Sequence, residues 1–342
     1  MRGRVSSCWL AAAMVIALAG AAAAQTPAGA RTPEDPFHVF LVVWRGETDV
    51  EHGFRAHMRE RGIPVRYTLR NLAQDRSRIP EVVAEIRAAQ PDLVHTFGTS
   101  TTLGILGPRE AADPTAHVQG IPGVFSIVAY PIEANIVESF ASTGRPITGT
   151  AFLPPVKKQL DALLQYRTVE RLGVVYNSLE RNSLINIEEL REEAAERGIE
   201  LLEAPVPLDA DGRPDPERLP EVVDGLASDG AEFLYMGPDS FVTRNDVSIT
   251  EAAVARGIPV FAGVEANFEG SRAMLGFVSR YYLVGKLAGA QAERLLVGGE
   301  RPEDIPVASL GRFALVIRMS VALELGIYPP LGLLRVAQVV VE

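Results

Sequence analysis

From Phe37 onward, short β-branched apolar runs alternate with amphipathic stretches, and that alternation leaves few ways for the chain to fold. Phe37–Trp44 reads FHVFLVVW, a near-continuous apolar run of the kind found in parallel strands buried on both faces. Asp49–Arg61 predicts a helix stopped by Gly62, Val65–Leu69 a strand, and Ile79–Ala89 a helix that leads into the strand Leu93–Phe97. A helix from about Ser100, the strand Gly123–Ile127 and a helix over Glu133–Ala141 complete a first series. Near Pro154 the pattern restarts. Helices over Pro154–Gln165, Leu184–Arg197, Leu219–Ala227 and Ser248–Arg256 alternate with strands over Leu172–Tyr176, Glu200–Glu203, Phe233–Met236 and Val260–Ala262. A long helix over Tyr281–Leu296 and a strand–helix ending over Ala314–Gly326 follow. Such alternation builds parallel sheets covered by helices, and the restart predicts an α/β chain of two Rossmann-like lobes.

The N-terminus predicts export. Arg2 and Arg4 precede the apolar run Trp9–Ala24, and Ala22-Ala23-Ala24 stands directly before Gln25, the outline of a signal peptide over residues 1–24. The rival reading, a membrane anchor, needs about 20 apolar residues and a basic stop, and this run offers neither. No stable membrane insertion is therefore expected after cleavage. Residues 25–36, rich in Pro, Ala and Thr, read as a disordered linker. Cys8 is the only cysteine, so a chain cleaved after Ala24 has no disulfide, thiolate metal site or cysteine nucleophile. Loss of Arg2 and Arg4 leaves 31 basic residues against 43 acidic ones, a net charge of −12. That balance excludes nucleic acid as a partner, because phosphate neutralisation demands basic surface.

In open α/β sheets, ligands sit beyond the carboxyl ends of the strands. The residues immediately after each apolar run are therefore the informative ones. They are Trp44 to Asp49 including Thr48, Gly98-Thr99-Ser100, Ala129-Tyr130-Pro131, Asn177-Ser178 with Asn182-Ser183, Gly237-Pro238-Asp239-Ser240, and Gly263 to Asn267 including Glu265. Thr99 and Ser100 place hydroxyls and N–H groups at a helix start, which favours an anion; they could equally cap their own helix. Asp239 and Glu265 could receive an ammonium, although Asp239 also suits a turn or cap. Trp44 and Tyr130 offer flat apolar faces, although Trp44 also suits a core. Together the set fits a zwitterion with an apolar or aromatic side chain; branched or aromatic carboxylates, small amides and nucleoside-like compounds remain alternatives.

Catalytic signatures are missing. There is no phosphate-binding loop, no G-x-G-x-x-G after the first strand and no H-E-x-x-H, so no catalytic residue, metal or cofactor is expected. Gly98–Thr102 is not a nucleophile elbow, because Thr102 stands where the second glycine is needed. A hydrolase using Ser100 would need a histidine in the cleft, and His95 precedes the strand end and should point into the sheet region.

Several passages carry a family resemblance: Asp92–Ser100, Thr148–Leu160, Leu172–Ser178, Ile258–Gly263, and Phe313 to Ile327. With them the chain resembles ABC-transporter substrate-binding proteins of the type I periplasmic-binding fold, specifically the group that includes tryptophan-binding members. The resemblance implies two lobes joined by a three-crossover hinge. Lobe I would comprise residues 37–147 and about 277–305, and lobe II residues 148–276 and about 306–342. It also implies a small-molecule ligand in the cleft and an ABC permease as partner. The protein would be a free periplasmic monomer; a sensor of the same fold, serving a kinase or chemoreceptor, is the alternative. Relatives often carry aspartate where Tyr130 and Val264 stand, so the ligand need not match theirs.

Overall fold

The computed structural model describes residues 31–341. The signal-peptide reading of residues 1–24 and the first half of the expected linker lie outside the described residues. The second half, 31–36, departs from the expected disorder. Arg31 pairs with Asp92 at 3.0 Å and lies over the Phe37 ring at 5.3 Å, and Thr32 bridges Asp35. These contacts tie the segment to the start of the first strand.

The described strands are β1 (Phe37–Val43), β2 (Val65–Asn71), β3 (Leu93–Phe97), β4 (Gly123–Val128), β5 (Ile147–Ala151), β6 (Arg171–Tyr176), β7 (Glu200–Pro205), β8 (Phe233–Met236), β9 (Val260–Ala262), β10 (Leu275–Val278), β11 (Ala308–Ser309), β12 (Ala314–Arg318) and β13 (Gln338–Val340). The helices that matter here are α1 (Asp49–Glu60), α2 (Ile79–Ala89), α3 (Thr99–Leu106), α4 (Val156–Tyr166), α5 (Arg181–Glu196), α6 (Leu219–Ser228), α7 (Ser240–Arg244), α8 (Asp246–Ala255) and α9 (Tyr281–Leu296). One sheet has the order β11-β5-β4-β3-β1-β2 and the other β13-β12-β10-β9-β8-β6-β7. Every paired strand is parallel except β10 with β12, which is antiparallel. All seven residues of β1 are buried, because helices cover both faces of a parallel sheet.

The chain passes from one sheet to the other after β5, after β10 and after β11. The sequence boundaries at 147/148, 276/277 and 305/306 fall a few residues early, because β5, β10 and β11 each finish in the sheet they begin in. After β10 the chain returns to the first lobe, where α9 packs on α1. The approach is close enough that a Cβ on Gly53 would overlap the Tyr282 carbonyl, and one on Gly285 the Val50 carbonyl. Glycine at both positions lets the two backbones touch.

The helix expected over Glu133–Ala141 is a run of turns instead. Asn135 takes a left-handed φ of 58°, and the Ile136 and Val137 N–H groups both donate to the Pro131 carbonyl. Buried Ile136 and Val137 drive this tuck, and their contact with the core outweighs the helical period.

Candidate functional site

Read from its β2 or β7 edge inward, each sheet winds in the same order: β2-β1-β3-β4-β5 in one and β7-β6-β8-β9-β10 in the other. In such a sheet the winding direction reverses between the first and third strands, and ligands bind in the crevice beyond that point. Each lobe has one such crevice, and the two line a shared cavity. From the first lobe come Trp44 and Arg45 after β1 and Gly98, Thr99 and Ser100 after β3. From the second come Glu180 and Asn182 after β6 and Pro238, Asp239 and Ser240 after β8. The cavity holds about 490 Å³, including space open to solvent.

The first-lobe wall is rich in donors. Gly98, at φ 86°, ends β3 and starts α3, and no side chain caps that helix. The first N–H groups of a helix have no partner within it and attract anions. Beside them Arg45 has no carboxylate within 4 Å among the described residues; its guanidinium lies 5.5 Å from the Phe97 ring centroid. The Trp44 indole is 9% exposed, and its buried Nε1 has no hydrogen-bond partner among the described residues.

The second-lobe wall is rich in acceptors. Asp239 caps α7: its Oδ1 accepts from the Phe241 and Val242 N–H groups, each at 2.9 Å. Its Oδ2 accepts from the Asn177 N–H at 2.6 Å and the Ser183 hydroxyl at 2.7 Å. Glu180, buried next to it, accepts from Asn182 Nδ2 at 3.0 Å and from the Ser240 hydroxyl and N–H at 2.8 and 2.9 Å. All these donors are neutral. Burial, and then the Asp239 charge, pushes the Glu180 carboxyl up to about 7. Burial also raises Asp239, against the pull of its hydrogen bonds. Two buried acids therefore face an inner cavity whose second-lobe lining holds no cation.

Aromatic rings close the hinge end. Tyr281 sits at the β10–α9 passage and meets Phe97 and Phe152 edge-on, at 6.5 and 5.9 Å between centroids. Phe152 follows β5 at the first passage, and Ile127 completes this wall. Ile127 holds a left-handed φ of 56° where the β4–β5 register shifts. That conformation costs a β-branched residue about 1–3 kcal/mol, and such outliers cluster at binding sites.

Of the residues named from sequence, Trp44, Thr99, Ser100 and Asp239 line this cavity. Asn177 and Ser183 stand behind the wall, holding Asp239, and Asn177 also faces the outer part of the cleft. Ser178, half-buried, lines neither part. Three expectations are corrected. Thr48 is spent on a capping box for α1: its hydroxyl accepts from the Val50 N–H, and buried Glu51 takes its N–H and hydroxyl at 2.8 and 2.9 Å. Glu265 is not an ammonium receptor, because it pairs with Arg280 at 2.8 Å and accepts from the Tyr281 N–H, tying the β10–α9 passage. Tyr130 is not a platform but an interlobe latch: its hydroxyl donates to Glu189 on α5 at 2.8 Å and accepts from Asn186 at 2.8 Å. Burial raises the Tyr130 phenol and is the main cause of the rise at Glu189.

Arg45, Glu180, Phe97, Phe152 and Tyr281 were not among the residues singled out. Arg45 and Glu180 do follow apolar runs, so a stricter reading of strand ends finds them. The three rings carry no local signal, since their shared site depends on the hinge. His95 points into the sheet, as expected: it is fully buried, bonds Ser126 at 2.9 Å and packs against Phe54. No catalytic pair forms with Ser100, whose hydroxyl accepts from Arg76 at 3.1 Å.

The sequence profile of ABC transporter substrate binding proteins matches residues 46–341. The chain belongs to this family. Its members are substrate-binding proteins, which bind and do not convert their ligands. A tyrosine-binding protein of Clostridioides difficile (strain R20291) is 22% identical over 258 residues, covering 75% of this chain and 69% of that protein. Among solved structures, an ABC domain in complex with L-Trp from Streptococcus pneumonia superposes with a TM-score of 0.76 at 21% identity, over 88% of this chain and all of that one. A conserved domain protein from Vibrio cholerae O1 biovar El Tor N16961 gives 0.77 at 21% identity, over 89% and 99%. The fold is that of the type I periplasmic binding proteins.

Proposed function

We propose that this protein is the extracytoplasmic receptor of an ABC import system and that it binds an aromatic amino acid between its lobes. The observation that carries this reading is the opposition of charge across an aromatic cavity. Arg45 and the uncapped start of α3, including Thr99 and Ser100, would take the carboxylate. Asp239 and Glu180 would take the ammonium, with Asn177 and Ser183 holding Asp239 in place. Phe97, Phe152, Tyr281 and Trp44 would enclose the ring. Each wall alone holds half of a zwitterion, so the ligand gains its full set of partners only when the lobes close, and binding shifts the open–closed balance. The tyrosine- and tryptophan-binding relatives support this choice of ligand. The signal-peptide reading of the N-terminus and the family support delivery to a membrane permease by a free, monomeric carrier.

Trp44 is the only tryptophan apart from Trp9, so it reports on the cavity. L-tyrosine and L-phenylalanine should change its fluorescence saturably. At 100 times its Kd, a ligand should stabilise the protein by about 2.7 kcal/mol in a thermal-shift assay. A screen in which sugars or nucleosides shift the melt and no aromatic amino acid does would sink the proposal. Transport would be tested by uptake of labelled ligand in cells with and without the gene.

A further inference from the structure

Outside the inner cavity, the cleft widens into a second chamber of about 1150 Å³, open solvent included. Trp44, Ser100, Glu180 and Ser240 line both. The outer chamber is basic: Arg76 enters from the first lobe after β2, and Arg213 and Arg244 enter from the second, from the β7–α6 turn and the end of α7. Gln74 and Asn245 add further polar groups, and Glu180 is the one acid on its wall. None of the three arginines has a carboxylate within 4 Å among the described residues, and the Arg76 guanidinium donates to the Ser100 hydroxyl. Elsewhere arginines such as Arg191, Arg218 and Arg294 are held by nearby glutamates. A chain with a net charge of −10 thus gathers arginines outside ion-pair distance from both lobes at one opening, where low-dielectric walls concentrate their field.

We propose that the outer chamber is a second, anion-selecting subsite, which seats a carboxylate attached beyond the head group of the ligand in the inner cavity. The direction of that attachment follows from the shared wall. Of the shared wall, Ser100, Glu180 and Ser240 belong to the head-group end and only Trp44 to the ring, whereas Phe97, Phe152 and Tyr281, at the hinge end, line the inner cavity alone. An extension into the outer chamber therefore leaves from the head group and not from the ring. A dipeptide has this shape: an aromatic first residue inside, its ammonium at Glu180 and Asp239, and its second residue outside, where an acidic side chain adds its carboxylate to the C-terminal one among the arginines and a basic side chain opposes them. Because Arg76 and the Arg213–Arg244 pair come from opposite lobes, a carboxylate there also helps hold the cleft shut. The inference rests on the inner-cavity reading given above.

Calorimetric titration of the full protein with L-Trp, L-Trp-L-Glu and L-Trp-L-Lys tests it, with L-Trp in inorganic phosphate as a further arm. The acidic dipeptide should bind at least as tightly as L-Trp and about tenfold more tightly than the basic one at low salt, with the gap narrowing as salt is raised. In R213Q/R244Q the ratio of the two dipeptide affinities should fall towards one, while R167Q/R335Q, an equal charge change at exposed positions outside the cleft, should leave that ratio as it was. The proposal is overturned if L-Trp binds and neither dipeptide does, or if the ratio survives in R213Q/R244Q. Phosphate that tightens L-Trp as much as the attached carboxylate does would mean a free co-bound anion and would overturn the peptide form. Failure of every aromatic ligand would instead remove the inner-cavity reading, and this inference with it.

Discussion

The helices that follow the third strand of each lobe occupy equivalent places and are finished in opposite ways. After β3, α3 begins at Gly98 with no side-chain cap, so its first N–H groups face the cavity as donors. After β8, α7 begins at Asp239, which bonds the first N–H groups itself and leaves a negative charge in their place. The contrast extends to the neighbouring groups. Second-lobe acids are held by several hydrogen bonds each, whereas Arg45 is held only by Tyr281 and the Phe97 ring and the Trp44 indole N–H has no partner among the described residues. One fold, used twice, thus presents a prearranged acceptor wall and a donor wall left for something outside the chain to satisfy. On the proposed reading, the polarity of the ligand is set by two residues, Gly98 and Asp239, and not by the topology.

Exchanging the charge on either wall is the strongest way to break this contrast. Asp239→Asn keeps an acceptor for the α7 cap but removes the charge, and should weaken an aromatic amino acid by about 2–5 kcal/mol, at least thirtyfold, in calorimetric titration. Arg45→Gln should cost less, about tenfold to a hundredfold, since α3 still faces the carboxylate. Equal and small losses in both would mean that the zwitterion is not held across the cleft.

The acceptor wall should also make binding pH-dependent. Glu180, raised to about 7, carries its proton below that pH when no ligand is present, and an incoming ammonium favours the ionised form. Bound protein therefore has the lower pKa, so affinity is full above about 7 and falls as pH drops below it, by up to about tenfold per unit for one linked proton. Glu180→Gln should flatten this profile between pH 5 and about 7. A wild-type profile that is already flat there would show that Glu180 does not meet the ammonium.

The smallest expected effect lies in the latch between the lobes. Tyr130→Phe removes the hydroxyl that joins Glu189 and Asn186, worth about 1 kcal/mol net. Scattering from the ligand-free protein should report a more open average shape, with affinity weakened a few-fold. An unchanged profile would mean that the hydroxyl adds nothing to closure.

What was legible in the sequence was local. The strand β1 announced itself because burial on both faces demands a continuous apolar run, and α9 was read from Tyr281 to Leu296, the bounds it has in the fold. The capping box was legible too: Thr48 and Glu51 stand three apart before a helix, and reading that pattern would have removed Thr48 from the ligand set. Asp239 was named as both ligand and cap, and it lines the cavity while capping α7. By contrast, nothing near Tyr130 announces Glu189, 59 residues away, and nothing near Glu265 marks it as the partner of Arg280.

By itself, then, the sequence determined the α/β class, the two lobes, and the rule that chemistry sits at strand ends, because periodicity and capping act over a few residues. Tertiary structure alone decided which strand-end groups remain available to a ligand. A polar side chain is lost to the ligand when folding turns it out of the cavity onto a partner elsewhere, and those partners come from the other lobe, the hinge or the neighbouring helix. Glu265 and Tyr130 were withdrawn in this way. Arg45, Trp44, the start of α3, Asp239 and Glu180 were not, and they are what the inner cleft offers.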